Sequence, residues 1–329
     1  MIAIRRLNKN SIIAAPIYNV TPRHFCTQSP TSSPIAIPSS AQYDDLINAA
    51  GRNGDFAAVR HLLSKRLSHG CLNTNNTFKF IATNVSVLDE LLQNLAALDD
   101  WFTRKHAHDA LVAQLAKLYR TAEALRVAEI MGRKRYGATA TTFHPILNAL
   151  AKKKEMLVAW RVVETMRAFR IKPDLASFNY ILTAYCFVGD VWAAVETLAK
   201  MEAEGMKADA ITYDALVLGA CRAGKVEAAL AVMRRMVEDG VAPLFSAHAH
   251  IIKEMAGCGY YALAAEYVRI FAGEDEKLDA ENFGYLARRL KNVKRVAEAT
   301  AVVEEMVKKG LPIGGALKDL CPNFEFKRD

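Results

Sequence analysis

The feature that most restricts what this chain can fold into is an internal repeat of 35 residues. Ala124, Ala159, Ala194, Ala229, Ala264 and Ala299 stand 35 residues apart, and Met131, Met166, Met201, Met236 and Met306 keep that spacing, with Phe271 in the one gap. An aliphatic ladder runs through Leu111, Ile146, Ile181, Leu216, Ile251 and Leu286, and a ring ladder through His108, Phe143, Phe178, Tyr213, His248 and Phe283. Gly189, Gly224 and Gly259 punctuate one point of the unit, and Gly205, Gly240 and Gly310 another. Four ladders held in one register are not an accident of composition. A unit this short cannot bury its own apolar face, so the units must stack on one another.

Each unit reads as two short helices. In residues 177–188 (SFNYILTAYCFV) apolar side chains recur at three- and four-residue spacings, and Gly189 with Asp190 then turns the chain. Residues 191–204 repeat the pattern and stop at Gly205, a suitable residue just past a helix end. Lys172, Pro173 and Asp174 separate one unit from the next, because proline cannot continue a helix. The ladder alanine falls early in the second helix, where a small side chain permits close approach. The methionine falls near its end as a pliable filler.

Composition narrows the function. Apolar residues make up 52% and charged residues 24%, enough to bury a core. No apolar run approaches the roughly 20 residues that span a bilayer, so no membrane partner is expected. The six cysteines are scattered with no C-x-x-C pair, against both a zinc cage and a disulfide-stapled secreted domain. The formal charge is +8. Part of it belongs to residues 1–43, which hold no Asp or Glu but carry Arg5, Arg6, Lys9 and Arg23 among apolar and hydroxylated residues. That is the composition of an organelle transit peptide. The apolar centre at 12–17 is short, is broken by Pro16 and has no A-x-A site after it, which argues against a secretory signal. Arg23, His24 and Phe25 place processing near Phe25, so residues 1–25 are the expected transit peptide and 26–39, rich in Ser and Pro, a disordered leader. Without residues 1–25 the charge is about +4. The expected destination is the mitochondrial matrix rather than a plastid.

The units resemble pentatricopeptide repeats, whose pattern is close to V-x-T-Y-N…C-x-x-G…A…F-x-x-M…G-x-x-P-D. Here it stands as Ala210, Ile211, Thr212, Tyr213 and Asp214, then Cys221 to Gly224, Ala229, Met236, and Gly240 to Pro243. Six units fit without a gap, at 105–139, 140–174, 175–209, 210–244, 245–279 and 280–314. A degenerate one fits at 40–74, with Tyr43, Gly54 and Gly70 in register, and 75–104 makes an irregular stretch. Residues 40–104 are then an N-terminal cap and 315–329 a tail. The 34-residue period and W-x-x-L-G-x-x-Y signature of tetratricopeptide repeats are absent. The fold expected from the resemblance is all-α, a right-handed superhelical solenoid of stacked helix-turn-helix repeats.

The resemblance implies binding of single-stranded RNA, messenger or ribosomal, along the first helices, where unpaired bases offer their edges. Base choice in the family depends on the fifth residue of a unit and its last. Asn179 with Asp209 is the family's uracil pair, while His144 with Asp174 lies outside the common code. The other pairs, Asp109/Thr139, Asp214/Leu244, Ala249/Asp279, Gly284/Gly314 and Asp44/Thr74, are non-standard too. The second residue usually clamps a base. Ile211 suits that role, whereas Glu281 would repel a phosphate. Long sequence-specific readout is therefore not expected.

Lys152, Lys153 and Lys154, Arg222 and Lys225, Lys117 and Arg120, Arg288 and Arg289, and Lys291, Lys294 and Arg295 all fall at the end of a first helix or in its turn. Such a recurrence suits phosphate contact.

Catalytic and metal chemistry finds no support. His106/His108 and His248/His250 are two apart on a helix and point away from each other, so neither pair chelates an ion. Cys186 and Cys221 read as buried small hydrophobes. No phosphate-cradling G-x-x-x-x-G-K-[ST], nucleophile elbow or H-E-x-x-H occurs. The 15 residues after the last unit cannot house the deaminase or nuclease domains of some relatives. Glu274, Asp275 and Glu276 are expected to shape a surface loop where a second helix ends. No cofactor, metal or small-molecule substrate is implied. The functions left open are an organellar RNA-binding adaptor in transcript processing, stability or translation, working with RNA-processing proteins; a component or assembly factor of the mitochondrial ribosome; and a protein scaffold that has lost RNA.

Overall fold

The computed structural model describes residues 37–242, 244–273 and 275–320. The expected transit peptide, most of the 26–39 leader, Pro243, Glu274 and residues 321–329 lie outside the described residues. Every regular element among the described residues is helical. The chain divides into two compact bodies, the first ending at Ala184 and the second beginning at Tyr185.

The N-terminal body holds α1 (Ser40–Arg52), α2 (Phe56–Ser68), a 3₁₀ turn (Lys79–Ala82), α3 (Leu88–Ala96), α4 (Trp101–Lys117), α5 (Thr121–Arg133), α6 (Ala140–Lys153), α7 (Met156–Ala168) and most of α8 (Leu175–Val188). The C-terminal body holds α9 (Val191–Ala203), α10 (Ala210–Arg222), α11 (Val226–Glu238), α12 (Phe245–Gly257), α13 (Tyr261–Phe271), α14 (Glu276–Asn292), α15 (Val296–Lys308) and a 3₁₀ turn (Gly315–Leu320). In each body a first helix packs on its own second helix and on the next first helix: α4 on α5 and α6, α10 on α11 and α12, α12 on α13 and α14.

The four ladders are the core. None of their residues is more than 8% exposed except Phe271, which is partly buried. A further row that the repeat comparison passed over lies one residue after the aliphatic ladder: Val112, Leu147, Leu182, Val217, Ile252 and Ala287, all buried. Two adjacent apolar rows are needed because a first helix is gripped from two sides. Burying a Leu or Val side chain contributes about 1.5–3 kcal/mol, so each unit gains several such increments only through its neighbours.

The acidic cluster marks a slip in the repeat. The turn that follows a second helix carries glycine at 205, 240 and 310, but Asp275 occupies the corresponding position. The left-handed glycine moves to Gly273, with φ of 106°. In consequence α13 stops after 11 residues and α14 starts early and runs for 17. Asp275 lies in the connection that follows α13, as expected, and has a second role there. It caps α14, its Oδ1 accepting from the Leu278 N–H at 2.9 Å, and Glu276 opens the first turn, where the helix dipole favours an acid. Two flanking segments also have more structure than expected. Ser39 and Gln42 form a reciprocal capping box on α1. The start of the 315–329 tail is a turn whose Leu317 is fully buried. Lys291 Nζ donates to the Ala316 carbonyl at 2.7 Å and pairs with Asp319 at 2.8 Å.

The backbone repeats its left-handed residues in the same register. Within units they are Tyr119, Lys154, Gly189, Gly224, Gly259 and Lys294; between units they are Arg135, Arg170, Gly205, Gly240 and Gly310. Only glycine adopts this conformation without strain, and other residues lose roughly 1–2 kcal/mol there. Exposed Arg170 has φ of 60°, while its counterpart Gly205 has φ of 76° and no atom within 4 Å of a built Cβ. Arg170→Gly is therefore predicted to stabilise the chain by about 0.5–1 kcal/mol, strain relief exceeding the added chain entropy. Gly205→Ala should cost about 1 kcal/mol through φ alone. Urea denaturation of both variants checks this; a loss of stability in Arg170→Gly contradicts it.

Candidate nucleic-acid interface

The first helices of the N-terminal body enclose a groove of about 500 Å³. From α6 it receives Thr141, His144, Asn148 and Lys152, spaced three, four and four apart so that they form one stripe. Lys117 and Tyr119 reach it from the end of α4 and Tyr180 from α8. Lys117 and Lys152 stand 35 residues apart, are exposed and pair with no carboxylate among the described residues. Two cations therefore flank three rings and an amide, a surface able to hold phosphates and stack planar groups. Gln114 also lines the groove, is 5% exposed, and its Oε1 has no hydrogen-bond partner.

The expected base-reading residues are brought together unevenly. His144 Nε2 lies 2.9 Å from Asp174 Oδ1, and the His144 ring sits 5.7 Å from that of Tyr180. Asp174 also caps α8, accepting from the Ser177 N–H at 2.9 Å and hydroxyl at 2.8 Å. Partial burial alone would raise the Asp174 carboxyl, but the Ser177 and His144 hydrogen bonds outweigh it and hold it below the usual carboxylate range. Asn179 is buried on α8, and Asp209 caps α10 through the Thr212 N–H and hydroxyl, both at 2.8 Å. Asn179 belongs to the N-terminal body and Asp209 to the C-terminal body. Asp214 accepts from the Ser246 hydroxyl at 2.7 Å, and Asp109 accepts from Thr142 at 2.7 Å and Lys105 at 2.6 Å. Ile211 is 57% exposed on α10.

One pair is closed off entirely. Asp44 and Thr74 hydrogen-bond to each other, and Asp44 Oδ1 also binds the buried Arg66 at 2.7 Å and the Thr77 hydroxyl at 2.8 Å. Arg66 donates further to the Ser40 carbonyl at 3.0 Å. Both Asp44 oxygens are consumed, so these residues lock the first hairpin and are not base readers.

The basic register divides by what each cation touches. Lys153 Nζ donates to the Tyr119 carbonyl at 3.2 Å and lies 5.6 Å from its ring. Arg222 donates to the Phe187 carbonyl at 2.9 Å and lies 3.9 Å over its ring. The two contacts are of one kind, though not at the same repeat position: a cation at the end of one first helix meets the carbonyl-bearing end of the preceding one, where the dipole favours positive charge. Part of the recurrence thus comes from joints between units. Arg295 pairs with Glu298 at 2.6 Å and covers Tyr261, and Lys291 holds the C-terminal turn. Lys152, Lys154, Lys225 and Lys294 are exposed, Lys154 and Lys294 at left-handed turn positions.

The remaining polar candidates are packing elements. His108 and His248 are buried, and burial pushes both imidazoles down, that of His248 to about 4. Their Nδ1 atoms lie 2.7 Å from the Arg104 carbonyl and 2.8 Å from the Tyr267 hydroxyl. Cys186 and Cys221 are buried, with thiols pushed up to about 12. Among the described residues no His, Cys, Asp and Glu group could hold a metal, and no helix is long and apolar enough to cross a membrane. Sequence reasoning missed Gln114, Asn148 and Tyr180.

Helical hairpins of one period, packed first helix on first helix, define an α-solenoid repeat protein. The family model described as the pentacotripeptide-repeat region of PRORP matches residues 105–256. The pentatricopeptide repeat-containing protein At2g40240, mitochondrial, of Arabidopsis thaliana is 60% identical over 85% of this chain and 80% of its own length. A second Arabidopsis protein of that description, At3g56030, mitochondrial, is 45% identical over 92% of this chain and 88% of its own. This chain belongs to the pentatricopeptide-repeat family. Among solved structures, PPR10 in complex with an 18-nt psaJ RNA element is 19% identical, with a TM-score of 0.48, covering 84% of this chain and 40% of that one.

The Asp44 lock has a measurable consequence. Removing one partner of a buried ion pair leaves an uncompensated charge and costs about 3–5 kcal/mol, whereas replacing both with apolar groups is often neutral. Asp44→Ala is predicted to unfold the first hairpin, read as lost amide protection in α1 and α2, and adding Arg66→Met should restore most of it. Full protection in Asp44→Ala alone would contradict the lock.

Proposed function

We propose that this chain is a non-catalytic, single-stranded RNA-binding repeat protein of the mitochondrial matrix, an adaptor in transcript processing, stability or translation. The observation that carries this reading is the N-terminal groove, where Lys117 and Lys152 repeat in register beside Tyr119, His144 and Tyr180. Unpaired bases stack on rings while lysines neutralise the backbone between them. The family's habit of binding RNA along its first helices supports it. So do the mitochondrial names of both relatives and the acid-free first 43 residues.

A second reading, a component or assembly factor of the mitochondrial ribosome, draws on a different observation. Asp44 and Asp109 engage both carboxylate oxygens in internal hydrogen bonds, and Asp174 and Asp214 engage Oδ1. A protein that holds phosphates without reading many bases fits ribosomal RNA. Sequencing the RNA crosslinked to tagged protein in isolated mitochondria separates the two: one or two messenger RNAs support the adaptor, ribosomal RNA the second reading.

Replacing Lys117 and Lys152 by Ala together is predicted to weaken binding of two unrelated single strands alike. The slope of log K against log salt should fall by about 0.7 per lysine. Fluorescence anisotropy at several salt concentrations measures both, and an unchanged slope would overturn the phosphate role.

A further inference from the structure

Along the six units the second position holds His106, Thr141, Ala176, Ile211, Ser246 and Glu281, and the sixth holds Ala110, Pro145, Tyr180, Ala215, His250 and Tyr285. The two rows trade bulk. Where the second residue is Ile211 the sixth is Ala215, and where the second is Ala176 or Ser246 the sixth is the ring of Tyr180 or His250. Residues four apart lie about 40° from each other around a helix, on one face and one turn apart. A helical side chain also leans back over the turn that precedes it, so a ring at the sixth position covers the surface beside the second.

These rings stand where successive first helices meet. Tyr180 on α8 lines the groove with Thr141, His144 and Asn148 of α6, and its ring centroid lies 5.7 Å from that of His144, tilted by 59°. Tyr285 on α14 has Lys253 of α12 at 5.8 Å from its ring centroid. Tyr180, His250 and Tyr285 are all half-buried, so packing holds each ring while part of its surface stays open to solvent. Burial, opposed by the Asp214 carboxylate, pushes the His250 imidazole down, so it presents a neutral ring.

We infer, resting on the RNA-binding reading above, that the sixth position is a base-stacking site in units whose second residue is too small or too polar to clamp a base. Tyr180 serves in the N-terminal body, and His250 and Tyr285 serve in the C-terminal body. Stacking needs only a π-face, which every base has, so this contact holds a strand without choosing its sequence. Lys253 beside Tyr285 supplies a cation for the adjoining phosphate, which Glu281 in the same unit would repel.

The test uses the full chain and labelled single-stranded A, C and U oligomers, with affinity read by fluorescence anisotropy across a salt series. Tyr180→Ala is expected to weaken binding of all three about tenfold, the worth of one stacked base. The slope of log K against log salt should not change, because no cation has been removed. Tyr180→Phe should bind as the wild type does. Adding Ala176→Ile to Tyr180→Ala returns bulk to the second position, as at Ile211, and should recover most of the loss. Tyr285→Ala, in the other body, should show the same loss and keeps the inference testable if Tyr180→Ala folds poorly. Unchanged affinity in both alanine variants, a loss confined to one base, a reduced salt slope, or a double variant no tighter than Tyr180→Ala overturns this inference while the RNA-binding reading stands. Failure of the wild type to bind any oligomer overturns both.

Discussion

Everything in this molecule depends on the double grip on each first helix. Two adjacent apolar rows, Leu111 with Val112, Ile146 with Leu147 and their successors, are buried in every unit. Neither row could be covered within a single hairpin. The register of the repeat is therefore a packing requirement. Where it slips, as at Asp275, the helices change length, and of the ladder residues beside it Ala264 and Ile251 stay buried while Phe271 is partly exposed. Small residues at the tenth position serve the same end, because the contact between Gly219 and Cys186 leaves no space for a further carbon.

That grip settles which side chains remain for binding. With two sides of a first helix occupied, residues at the second, fifth, ninth and thirteenth positions share the remaining stripe, and in the N-terminal body they line a groove. Unit junctions impose a second demand. The last residue of a unit is also the cap of the next first helix, as Asp174 and Asp209 show. A carboxylate that accepts from two or three internal donors has fewer lone pairs for a base, and at Asp44 both oxygens are bonded and the side chain is buried. At these positions the carboxylates hold helix starts and neighbouring units together.

Most of the architecture was legible in the sequence, because ladders at a fixed period report burial directly and glycines report turns. The site was less so. Arg222 shares the register of Lys117 and Lys152, and Lys153 is the neighbour of Lys152, so sequence does not tell these cations apart. Only geometry shows that Lys153 and Arg222 clamp the Tyr119 and Phe187 carbonyls of the preceding helix. Arg135 and Arg170 occupy left-handed positions without glycine, which composition could not announce. The Asp44–Arg66 lock pairs residues 22 apart inside one hairpin, a contact with no periodic signature.

The central claim is that RNA lies along the first helices of the N-terminal body. Ultraviolet crosslinking of the mature chain to a single-stranded oligoribonucleotide, followed by mass spectrometric mapping, tests it most directly. Crosslinked peptides should contain Tyr119, His144 or Tyr180. Crosslinks confined to second helices such as α5 and α7 would contradict it.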